Sequence, residues 1–305
     1  SPSTLFSPAQ YSEGDSFLET DRPVPELPEV ETVRRGLNRV TLNQAIVTGE
    51  VLLDRTIAFP ETPEKFLAAL EGCCLEQWHR RGKYLLAKLY RPPEKPAGWL
   101  GVHLRMTGQL LWQPPDEPLQ VHCRVRLSFE QSRELRFVDQ RTFGRLWWVP
   151  PGVPVEQIIT GLTALGPEPF SEAFSPEYLR QQLRHRHKPI KNALLDQGLV
   201  AGIGNIYADE ALFISGIRPQ TQCRRLGPRR LDKLHGAILQ VLSTSIEAGG
   251  TTFSDFRDVH GVNGNYGGVA WVYDREGEPC RVCGHPIRRL KLSGRSAHYC
   301  PRCQR

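Results

Sequence analysis

The sequence predicts an α+β chain: an N-terminal β-sandwich led by one helix, then a small helical bundle, then a C-terminal metal module. Three observations predict it. Between residues 45 and 149, short β-branched and aromatic runs alternate with turn residues. From 175 to 248 the apolar positions recur at helical spacing. The chain then closes with Cys280-Arg281-Val282-Cys283, sixteen residues, and Cys300-Pro301-Arg302-Cys303, a spacing that suits one tetrahedral metal ion.

Residues 1–24 are rich in Ser, Pro and acidic groups without periodicity and predict a disordered leader. From Pro25 the pattern changes. Val30, Val33 and Leu37 share one face of a helix over 29–38, with Pro28 at its start, where a missing N–H does no harm. Strand-like runs follow at 45–48, 74–79, 84–89, 99–104, 109–112, 122–129 and 145–149, so that 25–155 forms the sandwich domain. The prolines and glycines of 150–169 place a linker at 156–170. Helical spacing in 175–179, 190–195, 207–213 and 228–248 then gives a bundle over 171–272. Residues 262–279 are Gly-rich and aromatic and predict a mobile loop leading into the metal module, 273–305.

Of 305 residues, 39% are apolar, enough to bury two cores. Lys and Arg number 39 against 33 Asp and Glu, a net +6 that by itself says little about nucleic acid. The distribution says more. Residues 1–31 are acidic, whereas 180–191 and 224–233 are basic, as is the terminal segment with Arg281, Arg288, Arg289, Lys291, Arg295 and Arg302. Such a surface suits a polyanion. No apolar stretch approaches the roughly 20 residues of a membrane helix, and no signal peptide opens the chain. These features place the chain in the cytosol. They also favour a structural zinc on Cys280, Cys283, Cys300 and Cys303 over a redox pair or two disulfides. A module this short needs its metal to fold. Cys73, Cys74, Cys123 and Cys223 read as buried thiols.

Two stretches of the helical block carry chemistry. Lys191 stands at a helix start, and Gly202-Ile203-Gly204-Asn205 precedes the next helix. Glycines before a helix let backbone N–H groups approach a phosphate. A tight helix–helix turn that needs glycine for packing fits the residues equally well.

The opening Pro25-Glu26-Leu27-Pro28-Glu29-Val30-Glu31-Thr32-Val33-Arg34-Arg35-Gly36 resembles the start of the mature formamidopyrimidine-DNA glycosylases, bifunctional enzymes that remove oxidised purines such as 8-oxoguanine. The resemblance runs to the C-terminus through Arg81-Gly82-Lys83, His103-Leu104-Arg105-Met106-Thr107-Gly108, Asp139-Gln140-Arg141-Thr142-Phe143-Gly144, Gly202 to Glu210, Gly249 to Thr252, and the finger with Arg295. It implies that the helical block is a helix-two-turns-helix DNA-binding domain, and that the protein is a monomer acting on duplex DNA in the bacterial cytosol.

The resemblance also implies roles. Pro25 is the nucleophile, a secondary amine that attacks the sugar C1′. Glu26 is the catalytic acid. Lys83 and Arg295 complete the catalytic group at the phosphates beside the lesion. Flipping the nucleotide leaves a hole in the stack. Met106, Arg141 and Phe143 match the residues that fill it. His103, Lys191, Asn205 and Tyr207 are assigned to the DNA, and 261–268 to the loop over the damaged base. One feature departs from the family. Twenty-four residues precede Pro25, and an amide nitrogen has no basic lone pair, so the expectation is that the working enzyme starts at Pro25 after initiation at Val24. A second departure is Gln140-Arg141-Thr142, where the family often has a proline and a further basic residue. Two rival readings remain: an endonuclease VIII type that prefers oxidised pyrimidines, and a lesion-binding protein without catalysis.

Overall fold

The structure is a computed structural model that describes residues 24–251 and 257–305. The leader, apart from Val24, and Thr252 therefore lie outside the described residues. The sandwich begins with helix α1 (Leu27–Val40) and continues through β1 (Ile46–Val51), β2 (Ile57–Phe59), α2 (Pro63–Leu70), β3 (Cys74–Arg81), β4 (Tyr84–Arg91), β5 (Lys95–His103), β6 (Gly108–Gln113), β7 (Cys123–Phe129), β8 (Arg133–Asp139) and β9 (Arg145–Val149). One sheet has the order β1-β7-β8-β6 and the other β2-β9-β5-β4-β3. All pairs are antiparallel except β2 with β9.

The core between the sheets contains Trp78, Leu85, Leu100, Val125, Leu127 and Phe137, and α1 adds Val30, Val33 and Leu37. The expected face of α1 is thus its buried face. Strand β8 and helix α2 do not appear in the sequence reading. The reason for β8 is its burial pattern: Glu134 and Arg136 are 2% and 1% exposed and pair at 2.8 Å. The Arg136 guanidinium also donates to the carbonyls of Glu117 and Pro118, pinning the preceding loop. Two buried charges on one strand hide the apolar alternation that a half-buried strand normally shows. Thr62, which caps α2 by accepting from Lys65 N, with Pro63 behind it, is a start signal that was readable.

The expected linker is ordered. Helix α3 (Val155–Ile158) and a 3₁₀ turn over Thr160–Ala164 occupy it. Beyond them, Glu168 accepts from Arg80 at 2.7 Å, from Arg81 at 3.1 Å and from Gly82 N at 2.5 Å. The helical block comprises α4 (Pro176–Leu183), α5 (Ile190–Leu195), α6 (Asn205–Ser215) and α7 (Pro228–Glu247) around Leu194, Ile206, Leu212, Leu234 and Ile238. Val259 leaves that block and enters the sandwich core, its carbonyl accepting from Trp112 N at 2.8 Å. The metal module carries one hairpin, β10 (Arg288–Leu292) and β11 (Arg295–Tyr299).

The segment expected to be mobile is partly anchored. Buried Glu210 on α6 accepts from the backbone N–H groups of Trp271, Val272 and Tyr273 and from the Tyr266 hydroxyl. Four donors on one carboxylate fix residues 266–273 before they enter the metal module.

Candidate active site and nucleic-acid interface

The N-terminus of α6 is an anion site, but the anion is a side chain of this protein. Both Glu26 carboxylate oxygens accept backbone N–H groups: Gly204 at 2.7 Å, Ile206 at 2.8 Å and Tyr207 at 3.3 Å. A Cβ on Gly204 would lie 2.6 Å from the Glu26 carboxyl carbon, so this glycine is needed for close approach. Gly202, at φ +96°, packs on Leu27 and accepts from its N–H. The phosphate clamp and the packing turn read from the sequence are thus one structure with a carboxylate as its ligand.

Burial raises the Glu26 carboxyl above its ordinary range, while the charge of Lys83 and the three N–H groups pull it back. Lys83 sits in the two-residue turn between β3 and β4, made possible by Gly82 at φ +55°. Loss of hydration lowers its ammonium pKa, with Glu26 opposing and Arg295 assisting. Pro25 and Val24 adjoin Lys83 in a cleft of about 470 Å³ lined also by His103, Arg105, Met106, Phe143 and Arg145. A neighbouring cleft of about 590 Å³ is lined by Lys83, Met106, Arg141, Gly204 and Arg295 among others. The structure therefore brings Pro25, Lys83, His103, Met106, Arg141, Phe143 and Arg295 to one cationic, concave surface above Glu26. Arg105 and Arg145 extend it and were missed, although Arg105 lies inside a motif that had been read. His103 is held neutral, its pKa pushed down to about 3 by burial and then by Arg105 and Lys83. Its Nδ1 accepts from Arg105 N at 3.0 Å. Phe143 is 47% exposed, and the Arg141 guanidinium lies 5.3 Å from its ring centroid. Asn205 opens α6 with its Oδ1 buried and without a hydrogen-bond partner among the described residues.

Two expectations are corrected. Lys191 is 1% exposed, and its Nζ pairs with Asp209 at 2.6 Å and donates to the Ser296 carbonyl. Asp209 in turn accepts from His298 N at 2.9 Å. Lys191 is therefore turned inward, away from the cleft. It ties α5 and α6 to β11, the strand that begins with Arg295. A lysine at a helix start reads as solvated because Lys is rarely buried unpaired, and its partner lies eighteen residues away. Lys191→Met should destabilise the protein by about 3–5 kcal/mol, because the buried Asp209 loses its lysine and keeps only its contacts with His298. Urea denaturation checks this, and an unchanged midpoint would contradict it.

Tyr207 is likewise interior, at 1% exposure. Its hydroxyl donates to Glu29 at 2.6 Å and adjoins Ser245 Oγ at 2.5 Å. Glu29 also accepts from Glu26 N at 2.8 Å and from Thr251 N at 2.9 Å. It thus stitches α1 to the helical domain directly beneath Pro25-Glu26, a role the sequence hid behind an ordinary first-turn glutamate. Burial, then the neighbouring Glu26, pushes the Glu29 pKa up to about 7. Below about 4.5 both folded and unfolded chains hold this proton, and between about 4.5 and 7 only the folded chain does. Its contribution to stability therefore falls as pH rises through that interval. Glu29→Gln should flatten the decline when denaturation midpoints are compared with the unmodified protein from pH 4.5 to 8. Parallel curves would refute the assignment.

The four cysteines bring their sulfurs within 4.8 Å of one another, with Cys280 to Cys303 at 3.8 Å and Cys283 to Cys300 at 3.5 Å. Zn–S bonds of about 2.3 Å in a tetrahedron separate sulfurs by roughly 3.8 Å, so the set fits zinc and is far too open for disulfides. Val282 N and Cys303 N point at Cys280 Sγ and Cys300 Sγ, the donors that a thiolate–metal knuckle uses.

Comparison with known proteins agrees along the chain. The Formamidopyrimidine-DNA glycosylase N-terminal domain matches residues 24–146, the Formamidopyrimidine-DNA glycosylase H2TH domain matches 165–257, and the zinc finger found in FPG and IleRS matches 277–305. The formamidopyrimidine-DNA glycosylase of Nostoc punctiforme is 64% identical over 281 residues, 92% of this chain and 96% of that protein. This chain belongs to the formamidopyrimidine-DNA glycosylase family. The family's enzyme from Acaryochloris marina is 62% identical over 92% of this chain and 99% of its own. The Lactococcus lactis Fpg solved with DNA containing an abasic site superposes with a TM-score of 0.82 at 33% identity, covering 92% of this chain and 99% of that one. The same enzyme solved with DNA containing N7-benzyl-Fapy-dG gives 0.83 at 34%, covering 92% and 100%. The finger holds one structural zinc, as the family's does. No helix among the described residues is long and apolar enough to cross a membrane.

Proposed function

We propose that this protein is a cytosolic base-excision repair enzyme that removes oxidised purines from duplex DNA and then cleaves the resulting abasic site by β,δ-elimination. The observation that carries the reading is the buried Glu26 carboxylate, cradled by three N–H groups directly beside Pro25, which itself lines a cationic cleft. The Lactococcus relatives are described with abasic, Fapy-dG and oxidised-pyrimidine DNA, which supports damaged duplex as the ligand.

In this reading Pro25 carries a free imino nitrogen. Its lone pair forms a bond to C1′, the glycosidic bond breaks toward the departing base, and the proton lost from the nitrogen is taken up by that base. Glu26 protonates the deoxyribose ring oxygen, so that the ring opens to an iminium. Loss of a C2′ proton then expels the 3′ phosphate, and a second elimination expels the 5′ phosphate. Lys83 and Arg295, which line one cleft, neutralise those phosphates, with Asn205 and neutral His103 as further contacts. Met106, Arg141 and Phe143 occupy the vacated stack, with Arg141 reading the estranged cytosine. Zinc holds the finger that presents Arg295. Initiation at Val24 followed by methionine removal frees Pro25.

The test compares cleavage of duplexes carrying 8-oxoguanine opposite C with duplexes carrying thymine glycol. Faster cleavage of the first is expected. Preference for thymine glycol would favour the endonuclease VIII type, and cleavage of neither would leave a binding protein.

A further inference from the structure

We infer that Thr107 and Asp139 are positioning residues that lock the turn carrying Met106 and the turn carrying Arg141 and Phe143 into one rigid unit. This rests on the reading of those three residues as the void fillers. The two turns are far apart in sequence, and nothing in the backbone ladder beyond the paired Gly108 and Asp139 joins them. The side chains do. The Thr107 hydroxyl donates to Asp139 Oδ1 at 2.5 Å, and its oxygen accepts from Arg141 N at 2.9 Å. Asp139 Oδ2 accepts from Gly144 N at 2.8 Å, on the far side of Phe143. Asp139 is 1% exposed, so its carboxylate sits where water cannot replace a lost donor.

The turn so held is strained. Thr142 has φ +62°, an outlier for a β-branched residue. Two arginines secure it: Arg55 donates to its hydroxyl at 2.5 Å and Arg145 to its carbonyl at 3.1 Å. A Cβ on Gly144 would fall 2.9 Å from Asp139 Oδ2, so the chain presses close on the carboxylate. Residues that must enter a duplex together gain from being ordered beforehand, because each side chain then pays no ordering entropy on insertion. A single hydroxyl with one proton and two lone pairs is the smallest group that can serve both turns at once.

Thr107→Val preserves shape and removes the hydroxyl, and Thr107→Ser keeps it. With a duplex carrying 8-oxoguanine opposite C and a 2-aminopurine beside the lesion, Thr107→Val should slow both the fluorescence change on insertion and single-turnover excision roughly tenfold, the equivalent of about 1.4 kcal/mol. Thr107→Ser should stay within about twofold. Elimination at an abasic site in single-stranded DNA, where no void exists, should be unchanged in both. A Thr107→Val enzyme as fast as the unmodified one, alongside a slow Phe143→Ala, overturns the clamp and leaves the void-filling reading intact. A Phe143→Ala enzyme at full rate overturns that reading and the clamp with it. Equal losses in both Thr107 variants on both substrates mean that Thr107 serves the fold alone, which also overturns the proposal.

Discussion

Glu26→Gln lowers single-turnover base excision by about 10²–10⁴-fold, the range expected when a positioned general acid is removed. The geometry explains why an amide fails. Both carboxylate oxygens accept N–H groups from the start of α6, so one orientation of the amide sets its NH₂ against Ile206 N and the other against Gly204 N and Tyr207 N. The substituted side chain thus loses the proton it would deliver and is also expelled from its cradle. Affinity for duplex carrying an uncleavable abasic analogue changes far less, because Lys83, Arg105, Arg145 and Arg295 remain in the cleft. Excision within about threefold of the unmodified rate would remove Glu26 from the chemistry.

Removing the metal, or replacing Cys283 by Ser, has the second large effect. The finger's apolar interior amounts to little more than Val272, Ile287, Cys280 and Cys300 against Phe213, too small to hold a hairpin without the ion. Loss of the ion unfolds β10 and β11, and Arg295 leaves the cleft. A lost charge-assisted phosphate contact of about 1.5–3 kcal/mol corresponds to roughly 10- to 100-fold weaker DNA binding. Titrating a fluorescent abasic-analogue duplex with chelated protein or the Cys283→Ser variant measures it. Unchanged affinity would separate the finger from the interface. Arg295→Ala with zinc retained isolates the share due to the guanidinium.

What the sequence revealed follows from what each residue's neighbours require. The cysteine spacing was legible because a metal's coordination geometry leaves few alternatives, whereas Lys83 was reached only through its motif. The clustering of Pro25, Met106, Arg141, Phe143 and Arg295 was legible only through motif resemblance, since they come from four separate segments of the chain. Lys191 and Tyr207 were misplaced for one shared reason. Both occupy motifs next to the cleft, yet their polar atoms turn inward to Asp209 and Glu29, and inward pairing across long sequence separations leaves no local pattern. Strand β8 was hidden differently, since Glu134 and Arg136, two residues apart, satisfy each other inside the fold and interrupt the apolar alternation. Glu29 shows the limit most clearly. A glutamate in a first helical turn suits the helix dipole, and nothing nearby shows that it also receives Tyr207 and Thr251 from the other domain.

In this mechanism Pro25 supplies the nucleophilic nitrogen. Borohydride reduction during reaction with duplex carrying 8-oxoguanine, followed by peptide mass mapping of the protein–DNA adduct, tests it most directly on two forms of the protein, one beginning at Pro25 and one retaining residues 1–24. An adduct on the Pro25 nitrogen is expected in the first form and none in the second. An adduct in equal yield with Ser1 still attached, or one mapped to Lys83, would contradict it.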